Sequence, residues 1–266
     1  MTSGEDPTAN LATTRAMLAE AVAGGAGFVL TPEVTNCVSN SRSHQRSVLR
    51  RQDEDLTLKT LREDAKRYGI WLSIGSLGLL TEDADGRFAN RSFVINPDGD
   101  IAAWYDKIHM FDVNVSAEET YRESDGYRPG DRAVTCETPF GTLGLTVCYD
   151  IRFPKLHRTL AKAGADILLV PAAFSYVTGA AHWEPLLRAR AIETGCYVMA
   201  CAQTGTHPGS GRKTHGHSMV VAPWGEVILD AGQNTGVHFV DFEVAEVSKA
   251  RGRVPSLSHD RPFKGP

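Results

Sequence analysis

Three chemically capable residues in this 266-residue chain stand where an apolar run ends and a polar turn begins: Glu33 after "FVLTP", Lys107 after "IAAWYD" and Cys148 after "LGLTV". A thiol can attack a carbonyl carbon, a carboxylate can take the thiol proton, and an ammonium can hold the negative charge that develops on oxygen. Sites in α/β proteins gather at strand ends. Because 74 residues separate Glu33 from Lys107 and 41 separate Lys107 from Cys148, only a tertiary fold could bring the three together. Each alone has a plainer reading, as a small buried hydrophobe, a solvated turn acid and a hairpin surface charge.

The elements that would position them follow from periodicity and capping. Asp6-Pro7 before "TANLATTRAMLAEAVAGG" predicts an N-cap, a proline at the first helical position, a helix with Leu11, Leu18 and Val22 on one side, and a glycine stop. "LTLKTLREDAKRYG" predicts a second helix ending at Gly69, and "IWLSIGSLGLL" a buried strand. "SFVINPDGDIAAWYD" reads as a hairpin turning at Asp98-Gly99, and "VTCETPFGTLGLTVCYD" as another. Alternation then returns, with "PKLHRTLAKAGA" and "HWEPLLRARAIET" as helices, "DILLVPAAF" and "CYVMACAQ" as strands, and a hairpin "HSMVVAPWGEVILD" turning at residues 223–225. The class is α/β with a mixed sheet. No polar linker divides the chain, so 1–266 reads as a single domain, and "GTHPGSGRKTHG" reads as a mobile surface loop.

Composition narrows the functions. With 42% hydrophobic and 23% charged residues the chain is of ordinary soluble type, and no apolar run reaches the roughly 18 residues of a membrane span. The opening residues lack the basic and apolar regions of a signal peptide, which places the protein in the cytoplasm. Five cysteines without a CxxC pair read as reduced thiols, and a formal charge of −4 without a basic cluster argues against nucleic acid. There is no GxSxG, GxxxxGK[ST], GxGxxG after a strand, or HExxH. His207, His215 and His217 read as surface histidines rather than zinc ligands, so no metal is expected.

"TPEVTN", "YDKIHMFD" and "CYDIRFP", in that order, resemble the three signature segments of the nitrilase superfamily of carbon–nitrogen hydrolases. "GAAHWEPLLRARAIETGCYVMACAQTG" and "GHSMVVAPWGEV" extend the likeness over almost the whole chain, most closely to the Nit-type branch that contains deaminated glutathione amidase and omega-amidase. The resemblance implies a four-layer α-β-β-α sandwich, a homodimer or larger assembly, a Glu-Lys-Cys triad and no cofactor. The implied reaction is hydrolysis of a small linear, carboxylate-bearing amide through a cysteine thioester, with release of ammonia. Cys148 is then the nucleophile, Glu33 the general base and Lys107 the oxyanion partner, with the Tyr149 N–H completing the oxyanion hole. A thiol near its ordinary pKa of ~8.5 needs such a base and cation beside it. Glu123, in "YRESDGYRPG", matches a second glutamate that positions the substrate.

Arg152 is either structural or the partner of a substrate carboxylate, and His182-Trp183 are placed at the pocket border. A nitrilase acting on C≡N and a catalytically silent binding member are the alternatives. Superfamily members begin with a short apolar strand ahead of the segment that corresponds to "MTSGEDPTANL". The sandwich is therefore expected to lack its first strand, with Met1 an internal methionine of a longer protein.

Overall fold

The computed structural model describes residues 1–115 and 119–266. In chain order its elements are α1 (Pro7–Ala23), β1 (Phe28–Leu30), α2 (Arg42–Val48), α3 (Leu56–Tyr68), β2 (Trp71–Leu79), β3 (Ala89–Ile95), β4 (Ile101–Asp106), β5 (Asp112–Asn114), β6 (Thr120–Arg122), β7 (Val134–Thr138), β8 (Gly141–Leu145), α4 (Pro154–Lys162), β9 (Ile167–Leu169), α5 (Tyr176–Thr194), β10 (Tyr197–Ala200), β11 (Thr204–Thr206), β12 (Lys213–His215), β13 (Met219–Val221), β14 (Val227–Asp230) and α6 (Ala245–Arg253).

Local chemistry sets the ends of these elements. Asp6 caps α1 by accepting from the Thr8 N–H, with Pro7 at the first helical position. Asp55 caps α3 by accepting from the Leu58 N–H, and Gly69 closes it at φ 66°, a conformation that favours glycine. In the β3/β4 hairpin the Asn96 carboxamide oxygen accepts from the Asp98 and Asp100 N–H groups, and Gly99 turns the chain at φ 82°.

Two mixed sheets result. One has the order β1-β2-β3-β4, with β1 parallel to β2 and the rest antiparallel; the other has the order β14-β13-β10-β9-β8-β7, parallel only along β10-β9-β8. The pleat sorts the side chains. Phe93 and Ile95 of β3 join Leu11, Leu18, Leu58 and Leu61 of α1 and α3 in one core, while Val94 between them joins the core of the second sheet with α4 and α5. These layers are helix, sheet, sheet, helix, as the resemblance implies. Among the described residues β1 pairs with β2 alone, and an apolar cavity of about 480 Å³ runs beside it, lined by Met17, Leu18, Phe28, Val237 and Phe239. Among the same residues no helix is long and apolar enough to cross a membrane.

Two sequence expectations are corrected. Helix α5 begins at Tyr176, six residues before the expected His182, and carries Pro185 in its interior. The stretch read as a mobile loop is an antiparallel ribbon, β11/β12. His207 at its turn is buried, with Nδ1 2.7 Å from the Ser3 carbonyl and Nε2 2.9 Å from Thr214 Oγ1. Both ring nitrogens have partners, which anchors the ribbon to the N-terminal segment.

Candidate active site

Glu33 follows β1 in a turn zipped along β2. Val34, at φ 46°, donates its N–H to Ser76 Oγ, Thr35 donates to the Ser76 carbonyl, and Asn36 exchanges two bonds with Gly78. This run of bonds continues the sheet beyond the last strand residue and fixes a buried carboxylate at 4% exposure. Its Oε1 accepts from Lys107 Nζ at 3.0 Å and from Asn90 Nδ2 at 2.9 Å, and its Oε2 accepts from the Ala173 N–H at 2.7 Å.

Lys107 leaves the end of β4 and is 2% exposed. Its ammonium also donates to both oxygens of Glu123, at 2.9 and 2.8 Å. Glu123 sits just past β6 and accepts the Phe111 N–H at 2.6 Å, which binds it to the same corner. One ammonium therefore lies between two carboxylates.

Cys148 opens a 3-10 turn, Cys148–Arg152, at the end of the run that begins with β8. Its φ is 50°, strained for a non-glycine residue, and its N–H donates to the Pro171 carbonyl at 2.8 Å. Asp150, with 0% exposure, holds this conformation. It accepts from the Val147 N–H at 2.9 Å, the Tyr105 hydroxyl at 2.7 Å and the His109 N–H at 3.0 Å, and His109 Nδ1 lies 2.7 Å away. His109 stacks on Phe153 with ring centroids 3.5 Å apart. Asp150→Ala strands these buried donors and is expected to lower stability by about 3 kcal/mol or more, with loss of turnover because the cysteine turn loses its brace. Urea denaturation checks it; a stability within about 1 kcal/mol of the parent would show that the turn holds without Asp150.

Glu33, Lys107, Glu123 and Cys148 line one cavity of about 370 Å³, with Tyr149 and Phe174 in its wall. Burial pushes the Glu33 carboxyl up, but Lys107 above all, then Arg212 and the Cys148 thiol, bring it below the usual value. Burial acts against the Lys107 charge, yet Glu123 and Glu33 hold its ammonium well above the ordinary lysine range. For Cys148, burial and then Glu33 raise the thiol well above its ordinary value, against the pull of Lys107. Burial and then the Glu33 charge outweigh the pull of the ammonium, which favours the thiol over the thiolate.

Tyr149, expected to bind substrate, is in the cavity wall. Arg152 lies beside it, with its guanidinium over the rings of Tyr149 and Phe174 and Nη2 3.2 Å from His182 Nδ1. His182 is exposed and lies outside the wall, contrary to its expected place at the pocket border. Trp183 is likewise set behind the wall; it is buried, packs on Phe174 and donates Nε1–H to the His217 carbonyl, because it points from α5 into the second core. Sequence reasoning missed Asn90, whose carboxamide donates to Glu33 and, at 3.4 Å, to Glu123. It also missed Ala173, which acts through its backbone, and the cavity-lining Arg42 and Arg212.

A double-sheet α/β fold thus gathers a buried thiol, two carboxylates and an ammonium in one cavity. The carbon-nitrogen hydrolase model matches residues 1–252, and the chain belongs to that family. It is 40% identical over 260 residues to the deaminated glutathione amidase of Yersinia enterocolitica, spanning 97% of this chain and 90% of that protein. Among solved structures, the Caenorhabditis elegans NitFhit protein superposes with a TM-score of 0.89 at 36% identity, covering 98% of this chain and 63% of that one. An amidase mutant from Nesterenkonia sp. AN1, with acrylamide added at its active-site cysteine, superposes with a TM-score of 0.77 at 25% identity, over 96% of this chain and 95% of that one.

Proposed function

We propose that this carbon–nitrogen hydrolase cleaves the amide of a small linear, carboxylate-bearing acid, with deaminated glutathione among its candidate substrates. The observation that carries the reading is the meeting of Cys148, Glu33, Lys107 and Glu123 in one cavity. Cys148 Sγ attacks the carbonyl carbon while Glu33 takes the thiol proton. Lys107 Nζ, with the Tyr149 N–H, holds the tetrahedral oxyanion, a type of contact worth ~3 to 4 kcal/mol. Protonated Glu33 returns its proton to the departing nitrogen, which leaves as ammonia or an amine, and a thioester remains on Cys148. Water then attacks that carbonyl, Glu33 again accepts a proton, and collapse releases the acid and restores the thiol. Glu123 anchors Lys107 and positions the substrate, while Arg152, outside the cavity wall, stacks on the rings of Tyr149 and Phe174 and is structural.

Acrylamide addition at the active-site cysteine of the Nesterenkonia amidase supports a cysteine nucleophile. The relatives named for deaminated glutathione support the substrate class. The reading includes a cytoplasmic, cofactor-free homodimer or larger assembly, and the exposed Ile192, Trp224 and Ile228 supply apolar surface for self-association.

The test is a panel of succinamate, glutaramate, deaminated glutathione and the matching nitriles, each followed by its acid product and by released ammonia or amine. Turnover of carboxylate-bearing amides but not nitriles is expected. Turnover of nitriles alone would assign the nitrilase activity, and none at all the silent binding role. Light scattering on the same preparation should give at least twice the chain mass; a monomer would remove the assembly from the reading.

A further inference from the structure

We infer that Arg212, delivered by the β11/β12 ribbon, is a positioning residue that sets Glu33 in its role as base by gripping the carbonyl of Ala173. The inference rests on the proposed amidase reading. Ala173 is held at both ends: its N–H donates to Glu33 Oε2 at 2.7 Å, and its carbonyl accepts from Arg212 Nη2 at 2.7 Å. The ribbon is strapped to the same stretch of chain, since His215 donates its N–H to the Phe174 carbonyl at 3.0 Å and Thr214 bridges to Ser175. Gln203, just ahead of the ribbon, donates to the Glu33 carbonyl at 3.2 Å and to Ser3 Oγ at 2.9 Å. The base is thus framed on one side by the strand ends and on the other by this ribbon.

The charges around Glu33 give the arrangement its purpose. Lys107 follows β4 and divides its ammonium between Glu33 and Glu123, with both oxygens of Glu123 against one of Glu33. Asn90 from β3 is neutral, and the Cys148 thiol after β8 carries no positive charge. Arg212 is the second cation whose field reaches Glu33. Among the described residues it forms no ion pair; its guanidinium packs over Tyr121, and its buried Nε has no hydrogen-bond acceptor. Glu119, an acid that lines the same cavity, accepts from the Tyr121 and Ser175 hydroxyls, while Arg212 is tied to the Ala173 carbonyl, which brings its charge next to the residue that donates to Glu33.

The acid limb of kcat/KM reports the ionisation of the base in the free enzyme. Removing a cation makes a carboxylate harder to ionise, so the limb must move to higher pH. The experiment measures kcat and KM for the best amide of the panel from about pH 3.5 to pH 9, in the full chain, for Arg212→Met, Arg212→Lys and Glu33→Gln. Arg212→Met is expected to raise the acid limb by about one pH unit, a loss of kcat/KM relative to the parent of roughly two- to threefold near pH 5 that deepens toward about tenfold below the parent limb, with KM changing little. Arg212→Lys should restore most of the limb. If the methionine variant does not fold, Arg212→Gln, which keeps a donor for the Ala173 carbonyl, replaces it with the same expected shift. An unmoved limb beside an inactive Glu33→Gln would overturn the inference while leaving the amidase reading intact. A rise in KM confined to carboxylate-bearing amides, with the limb unmoved, would make Arg212 a ligand contact and overturn it equally. Full activity in Glu33→Gln would remove the base itself, and the inference with it.

Discussion

Cys148→Ala is expected to leave amide hydrolysis lower by about four to six orders of magnitude, the scale at which loss of a nucleophile acts in enzymes whose residues work as one unit. On the proposed mechanism the substitution removes the sulfur that forms the thioester, and neither Glu33 nor Lys107 has work to do without it. The fold is expected to survive, because Cys148 contributes its backbone N–H to the Pro171 carbonyl and that bond is unchanged in alanine. Alanine also tolerates φ 50° no worse than cysteine does, so the thermal midpoint should shift by less than ~1 kcal/mol of stability would produce. In the parent chain, a slow amide or an acrylamide-type electrophile should leave its mass on Cys148. Cys37, in the wall of the same cavity, is the informative control: burial and then Glu5 push its thiol up to about 12. An adduct on Cys37, or more than about 1% of parental turnover in purified Cys148→Ala, would remove Cys148 from the role.

How far such a site can be read in a sequence depends on whether its parts have side-chain signatures. Glu33, Lys107 and Cys148 were legible because each closes an apolar run, and strand ends follow from periodicity. The helices α1 and α3 were legible because Asp6, Asp55 and Gly69 carry capping chemistry. Ala173 was not, since its contribution is a backbone N–H and any residue there would supply one. Asn90 reads as an ordinary polar residue at the head of a strand, and only the fold shows that it lies between two carboxylates. The β11/β12 ribbon was hidden by its glycines: Gly205, Gly209 and Gly211 have positive φ and look like loop punctuation, whereas the buried His207 and its two partners make the segment structural. The start of α5 was obscured by Pro185, which sits inside a helix that tertiary packing of Trp183 and Leu187 sustains. The thiol state of Cys148 was out of reach for a different reason. A base and a cation in sequence suggest activation, but the sign of the shift follows from burial first and the Glu33 charge second, and burial is a property of the fold.

Lys107→Met should both stop the reaction and reverse the pH dependence of stability at the site. The loss of the oxyanion contact alone corresponds to about 10²- to 10³-fold in kcat, and the base loses its main stabilising neighbour at the same time. In the parent, Glu33 lies below its ordinary value, so its stabilisation is present above the unfolded pKa of ~4.3 and fades as pH falls through the folded one. Lys107 lies well above its ordinary value, so its contribution is complete below ~10.4 and is lost only as pH rises through the folded pKa. Both contributions are therefore intact at neutral pH. In the variant the methionine fills the stem of the lysine, and the two carboxylates keep their burial without the ammonium between them. Burial is the largest influence on Glu33 and already acts upward, so its pKa passes above ~4.3. A carboxyl raised in the folded state binds its proton more tightly there than in the unfolded chain, and stability falls as pH rises through that value. The variant is thus expected to be about 3 to 5 kcal/mol less stable than the parent near pH 8, the cost of breaking a buried pair by removing one partner, and to recover part of that loss near pH 5. Urea denaturation of both proteins at the two pH values measures the difference directly. A loss of equal size at both would mean that Glu33 stays ionised without Lys107, and the counter-charge would then have to come from Arg212, the other cation within reach of Glu33.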